Sequence, residues 1–173
     1  MTPRVLLSAP EDRSRIREII LHSDLFKPSD ADCVDEMFSL AQDKPTPDNY
    51  RFLSCWLDGT MTGFACYGWE SLTQGTWDLF WVCTLPKWRG RGVGGALLCE
   101  AIRTAADEGG RLMVVYTSGT PAYAAARRLY QAHQFVHTAT VAEYYHAGDD
   151  LYIYSRKLRE AAKTYEPENG GER

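Results

Sequence analysis

Apolar and polar residues follow two rhythms along this chain, and the places where the rhythm changes divide it into elements. Helical spacing relates Ile16, Ile19 and Ile20 after the start signal Ala9-Pro10-Glu11-Asp12. The same spacing relates Val34, Met37 and Phe38 within a second predicted helix, 29–41, with Ser29 or Asp30 as its cap. Runs rich in aromatic and β-branched residues predict strands at 4–8, 50–57, 61–69 and 77–83, with Asp58-Gly59 as a hairpin turn between the second and third. Lys44-Pro45-Thr46-Pro47-Asp48 predicts a loop, and Gln74-Gly75 a turn. A helix over 96–106 stops at Gly109-Gly110 and is followed by a nearly all-apolar strand, 111–117, of the kind covered on both faces. A helix over 121–133 opens with Pro121, and strands at 135–141 and 151–158 flank a polar loop, 146–150. Residues 159–173 form a charged tail expected to fray into disorder.

The order β-α-α-β-β-β-α-β-α-β-β predicts a mixed α/β domain over 1–158. Its expected centre is one twisted mixed sheet of about seven strands, flanked by helices on both faces. Composition narrows the class. A hydrophobic share of 45%, a charged share of 24% and a net charge of −4 describe an ordinary globular protein with no basic stripe for nucleic acid. No apolar run approaches a membrane span, and the first twelve residues lack the apolar region of a signal peptide. Five scattered cysteines without a C-x-x-C pair predict reduced thiols and a cytoplasmic location. His22, His133, His137 and His146 show no ligand spacing, so no metal is expected.

The informative stretch is Trp88-Arg89-Gly90-Arg91-Gly92-Val93-Gly94-Gly95-Ala96-Leu97-Leu98, between the strand at 77–83 and the helix after it. Glycines permit a tight turn with positive φ and a close approach of ligand to backbone. A turn that feeds a helix also presents free N–H groups at the positive end of the helix dipole, which suits phosphate. Gly90, Gly92 and Gly95 fit the dinucleotide pattern G-x-G-x-x-G. However, Leu85-Pro86-Lys87-Trp88-Arg89 intervenes between the strand and the loop, and no Asp or Glu lies between Glu108 and Glu143 to hold a ribose. A P-loop would need Gly-Lys-Ser/Thr, which is absent.

Arg89-Gly90-Arg91-Gly92-Val93-Gly94, with Pro86 three residues before it, resembles the acetyl-CoA loop Arg/Gln-x-x-Gly-x-Gly/Ala of the GNAT superfamily of N-acetyltransferases. The segment 126–135, ARRLYQAHQF, is similar to that family's A-x-x-L-Y-x-x-x-G-F. The element order is also the family's. The resemblance implies direct transfer of acetyl from acetyl-CoA to a primary amine, with no metal. It implies that Arg89, Gly90, Arg91, Gly92, Val93 and Gly94 hold the pyrophosphate, and that Val82, Cys83 and Thr84 meet the acetyl and pantetheine arm. The Val82 amide would face the developing oxyanion. Tyr130 would also contact the cofactor and serve as general acid to the departing thiolate.

A lysine-like amine is neutral in only about one molecule in 10³ at pH 7, so a base is useful. Asp78, which strand alternation places on one face with Phe80 and Val82, is one choice, and Glu70 is the other. Three positions depart from the family pattern: Gln134 for Gly, Tyr123 for Asn and Thr84 for Val. The acceptor stays open among small amines, peptide termini and protein lysines, and a homodimer is a common arrangement in such folds. A non-catalytic acyl-CoA-binding or sensing module is the alternative reading.

Overall fold

The computed structural model describes residues 2–43 and 50–158; the expected loop at 44–48 and the charged tail at 159–173 lie outside them. Seven strands form one sheet: β1 (Arg4–Leu7), β2 (Tyr50–Leu57), β3 (Thr60–Trp69), β4 (Thr76–Thr84), β5 (Leu112–Ser118), β6 (Val136–His146) and β7 (Asp149–Lys157). Their spatial order is β1-β2-β3-β4-β5-β7-β6, with every pairing antiparallel except β4–β5.

Both parities of the central strands are apolar, so each face of the sheet carries a core. Phe52, Phe64 and Cys66 pack with Ile16, Ile19 and Phe38 beneath α1 (Arg13–Leu21) and α2 (Pro28–Asp43). On the other face, Leu53, Ala65 and Tyr67 pack with Leu97, Leu98 and Ala101 of α3 (Val93–Asp107), next to Tyr130 of α4 (Ala124–Ala132).

Several boundaries differ from expectation for identifiable reasons. Pro10–Asp12 forms a short 3₁₀ turn before α1, closed by the Ala9 N–H donating to Asp12 Oδ2. Helix α3 starts at Val93, which puts Gly94 and Gly95 inside its first turn. A Cβ on Gly94 would sit 3.2 Å from Leu129 Cδ2, so the glycine serves helix–helix approach as well as the loop. Strand β6 continues to His146, and the expected loop after it is a tight hairpin at Ala147-Gly148, where Gly148 has φ +80. All of β6 is exposed, and its register breaks twice, between His137 and Ala139 and between Val141 and His146.

Two irregularities in the centre of the sheet position the site. Across β3–β4, Leu79 pairs with Tyr67 and Trp81 with Cys66, so Phe80 is an unpaired bulge residue. The bulge resets the alternation. Trp77 and Leu79 pack under α3, Trp81 and Cys83 pack under α1 and α2, and Val82 turns toward α3 and α4. Asp78 and Val82 therefore face opposite ways, which corrects the shared face expected from simple period two. In addition, the β4–β5 ladder covers only Thr76–Leu79 against Leu112–Val115, and beyond it the two strands part.

Candidate active site

The glycine stretch leaves β4 through a 3₁₀ turn, Pro86–Trp88, with Arg89 extended. Gly90 and Gly92 then take φ +74 and +81, and a Cβ built on either has open space around it, the nearest atom being Pro3 Cγ at 3.9 Å from that on Gly92. Backbone conformation, not crowding, selects glycine at these two positions. The first bond of α3 runs from the Ala96 N–H to the Gly92 carbonyl, which leaves the amides of Val93, Gly94 and Gly95 without a backbone partner among the described residues.

These amides open onto a cavity of 620 Å³. Its walls include Val82, Cys83, Thr84, Arg89, Gly90, Gly92, Val93, Gly94 and Tyr130, all expected at a cofactor site, together with Leu25, Trp88, Ala125 and Leu129. Trp88 also contributes a buried Nε1–H with no partner among the described residues. Free amides, a helix dipole and an orphaned donor around open glycines fit a ligand rich in phosphate oxygens.

The two arginines of the loop behave differently. Arg89 donates through both terminal nitrogens to the Asp24 carboxylate, which holds Asp24 below the usual carboxylate range. Arg91 does not line the cavity; its guanidinium lies 5.0 Å from the centre of the Trp88 ring, where it adds charge at the rim.

Where β4 and β5 part, a second cavity of 610 Å³ opens. It shares Leu25, Phe26, Val82, Ala126 and Tyr130 with the first, so the two meet at Val82 and Tyr130. Tyr130 is 7% exposed, and its hydroxyl has no partner among the described residues. Burial, with lesser contributions from Tyr123 and Tyr145, pushes its pKa well above that of an ordinary tyrosine and keeps it a phenol. Tyr123 donates its hydroxyl to the Leu25 carbonyl at 3.2 Å and ties the start of α4 to the α1–α2 connection.

Gln134 adopts the glycine conformation, φ +64. The Phe135 N–H donates to the Tyr130 carbonyl and the Gln134 N–H to that of Gln131, a Schellman cap. The Phe135 ring rests 5.9 Å from that of Tyr130, centre to centre. The family's turn is thus kept without its glycine.

The second cavity is walled by aromatic rings, including Phe26, Trp81, Tyr116 and Tyr145, and contains two carboxylates. Asp30 is engaged by the Lys27 N–H at 2.8 Å. Asp149, at the start of β7, is 7% exposed and accepts from Ser118 Oγ at 2.6 Å, with His146 Nε2 3.6 Å from its other oxygen. Asp149 carries no local signal of this role, because residues 146–150 look like an irregular polar loop until the hairpin aims its carboxylate.

Asp78 and Glu70 line neither cavity. Burial, then the charge of Glu70, raises Asp78 above the ordinary carboxylate range. Tyr116, which lines the second cavity, has its phenol raised by burial and then by the charges of both acids, so Asp78 and Glu70 lie behind that wall. Among the described residues, no group of three or more His, Cys, Asp or Glu side chains is arranged to hold a metal ion, and no helix is long and apolar enough to cross a membrane.

This combination of a parted mixed sheet with a glycine-loop cavity is that of an acetyltransferase fold, and residues 16–135 match the Acetyltransferase (GNAT) family; the chain belongs to that family. It is similar to a GNAT-family acetyltransferase from Desulfovibrio desulfuricans at 32% identity and TM-score 0.82, over 91% of this chain and 100% of that one. It shares its fold with the ribosomal-protein-S18-alanine N-acetyltransferase of Escherichia coli, at 19% identity and TM-score 0.75, over 94% and 97% of the two chains. The same is true of an acetyltransferase from Salmonella typhimurium solved with acetyl-CoA, at 23% identity and TM-score 0.75, over 94% and 98%. No curated protein matches the sequence.

Proposed function

We propose that this protein is an acetyl-CoA-dependent N-acetyltransferase that transfers acetyl directly to a primary amine. The observation that carries this reading is Tyr130, a buried phenol at the junction of two cavities. Acetyl-CoA would supply the activated acyl group. The amides of Val93, Gly94 and Gly95 would hold its pyrophosphate, with Arg89 and Arg91 adding charge.

The Val82 amide, on the edge of β4 that β5 leaves unpaired, would donate to the thioester carbonyl as it gains charge. Tyr130 would donate a hydrogen bond to the departing sulfur. Its raised pKa disfavours a free tyrosinate, so it acts as a donor or as a relay that gives and takes a proton in one step. Asp78 and Glu70 would act at one remove, through Tyr116 or water. The five cysteines are all unpaired, which supports a reducing compartment, the cytoplasm.

The test is thermal unfolding with acetyl-CoA, CoA and NAD, followed by thiol release with a panel of primary amines. A ligand at 100 times its Kd adds about 2.7 kcal/mol, a rise of about 5–10 °C at this size. A rise with both CoA species but not NAD, then amine-dependent thiol release, is the expected result. Binding without turnover on any amine would instead make the protein an acyl-CoA sensor.

A further inference from the structure

Three features of the second cavity converge on one corner. His146 Nδ1 lies 3.0 Å from the Ala147 carbonyl, which can only accept, so Nδ1 carries the hydrogen. A neutral His146 then turns the lone pair of Nε2 toward Asp149 Oδ2, 3.6 Å away, so that two acceptors face each other across a gap. The other oxygen of Asp149 is already engaged. Ser118 Oγ spends its only hydrogen on Oδ1, and Thr120 Oγ1 in turn lies 2.7 Å from Ser118 Oγ. Arg127 donates to the Ser118 and Thr120 carbonyls, and this fixes the strand end that aims the serine. The carboxylate is therefore held rigidly, with one oxygen left toward the cavity.

A group that satisfies both acceptors must bring at least two N–H or O–H donors and, beside an acid, positive charge. A primary ammonium does so. The neighbouring wall suits the rest of such a molecule: Phe80, Tyr116 and Tyr145 are 41%, 50% and 46% exposed, a large unfilled aromatic surface. The titratable groups around the corner are Lys27 just before α2 and Asp30 in its first turn, Tyr116 from β5, Tyr123 and Tyr130 beside and on α4, and Tyr145 from β6. Glu143 and Asp150 are tied within the hairpin, to the Gly148 and Glu143 amides respectively. Lys27 is the one cation among these lining groups.

We propose that Asp149 Oδ2 and His146 Nε2 form the acceptor end of the active site, Asp149 binding the ammonium of a primary amine with an aromatic or apolar body and His146 taking its proton. This rests on the acetyl-transfer reading above. One N–H of the ammonium donates to Asp149, and a second passes its proton to His146 Nε2. The imidazolium then pairs with Asp149 and releases the proton to solvent, since its side chain is 70% exposed. The freed nitrogen lone pair forms the bond to the acyl carbon, and the C–S bond breaks with its electron pair going to sulfur. Tyr130 gives its hydroxyl proton to sulfur as it takes one from the acylated nitrogen, so the products are the amide, the thiol and one proton in solution. Imidazole changes charge between about pH 5 and 8, which suits this exchange.

The test uses full-length protein loaded with CoA, with 2-phenylethylamine as probe and 2-phenylethanol as its neutral counterpart. Calorimetry is run at pH 7 on the wild type, Asp149→Asn and His146→Gln. The wild type should bind the amine at least about tenfold more tightly than the alcohol, a preference typical of a partly buried charged hydrogen bond. Asp149→Asn, which can still accept from Ser118, should lose that preference while keeping the CoA-induced rise in Tm. His146→Gln, on an exposed side chain, should keep the preference but lose the rise in thiol release with acetyl-CoA across about pH 5–8. Equal binding of amine and alcohol by the wild type, or a preference that survives Asp149→Asn, overturns the site. An unaltered pH profile in His146→Gln overturns the role of His146 as base. Failure of CoA itself to raise Tm overturns the acetyl-transfer reading, a result distinct from all of these.

Discussion

Gln134→Gly tests how the turn behind Tyr130 is held. Gln134 sits at φ +64 as the C′ residue of a Schellman cap, where its Cβ crowds the following carbonyl. An L-residue in this conformation costs about 1–2 kcal/mol. Glycine removes that cost but has a freer unfolded chain, which returns about 0.4–1 kcal/mol to the other side. The first effect wins, and the net gain is about 0.5–1 kcal/mol, or a rise in Tm of about 1–4 °C at this chain length. Gln134→Ala keeps the Cβ and should gain nothing. Thermal melts followed by circular dichroism on the three proteins check this. Catalysis should not change, because the Phe135 N–H still bonds to the Tyr130 carbonyl. A lower Tm for the glycine variant, or equal shifts for glycine and alanine, would refute the reasoning.

Tyr130→Phe removes a hydroxyl with no partner among the described residues, so Tm should hold within about 2 °C and the CoA Kd within about threefold, while kcat for thiol release falls roughly 10²–10³-fold. An unchanged kcat would remove Tyr130 from the reaction. Gly63→Ala would set a Cβ 2.6 Å from the Cys83 carbonyl and 2.8 Å from Val93 Cγ1. Overpacking of this kind costs about 1–3 kcal/mol, so Tm should fall by about 3–10 °C, and CoA binding should weaken as the first turn of α3 shifts. Asp78 has a raised folded pKa, so its favourable contribution is full below the unfolded value of about 3.9 and is lost as pH rises through the folded value. Asp78→Asn should therefore raise Tm at pH 7, gain nothing near pH 3, and leave the acid limb of the pH–rate profile in place. Loss of that limb would make Asp78 the base.

What could be read from the sequence was whatever depends on local pattern. The Asp58-Gly59 hairpin, the alternation that packs both faces of β2 and β3, and the glycine turn into α3 are each written in a few adjacent residues. What escaped depends on pairing between distant strands. The bulge at Phe80 exists only in the register of β4 against β3, yet it decides that Val82 and Asp78 face opposite ways. The parting of β4 and β5 after Leu79 and Val115 leaves no local mark, and it alone makes room for the second cavity. Asp149 and His146 look like turn residues until the hairpin register places them opposite each other. Arg91 fits the loop motif, but its side chain is drawn to the Trp88 ring rather than into the cleft.

The irregular outer strand has a consequence for how the protein behaves in a crowded solution. A long edge strand, with Val136, Val141, Tyr144 and Tyr145 exposed, is a template on which another chain can add by strand pairing. The two register breaks in β6 and the left-handed Glu143 at φ +52 interrupt that template, so no incoming strand finds a long straight run to zip onto. The kinks that bend this hairpin toward the cavity therefore also act as a brake on fibril-like polymerisation.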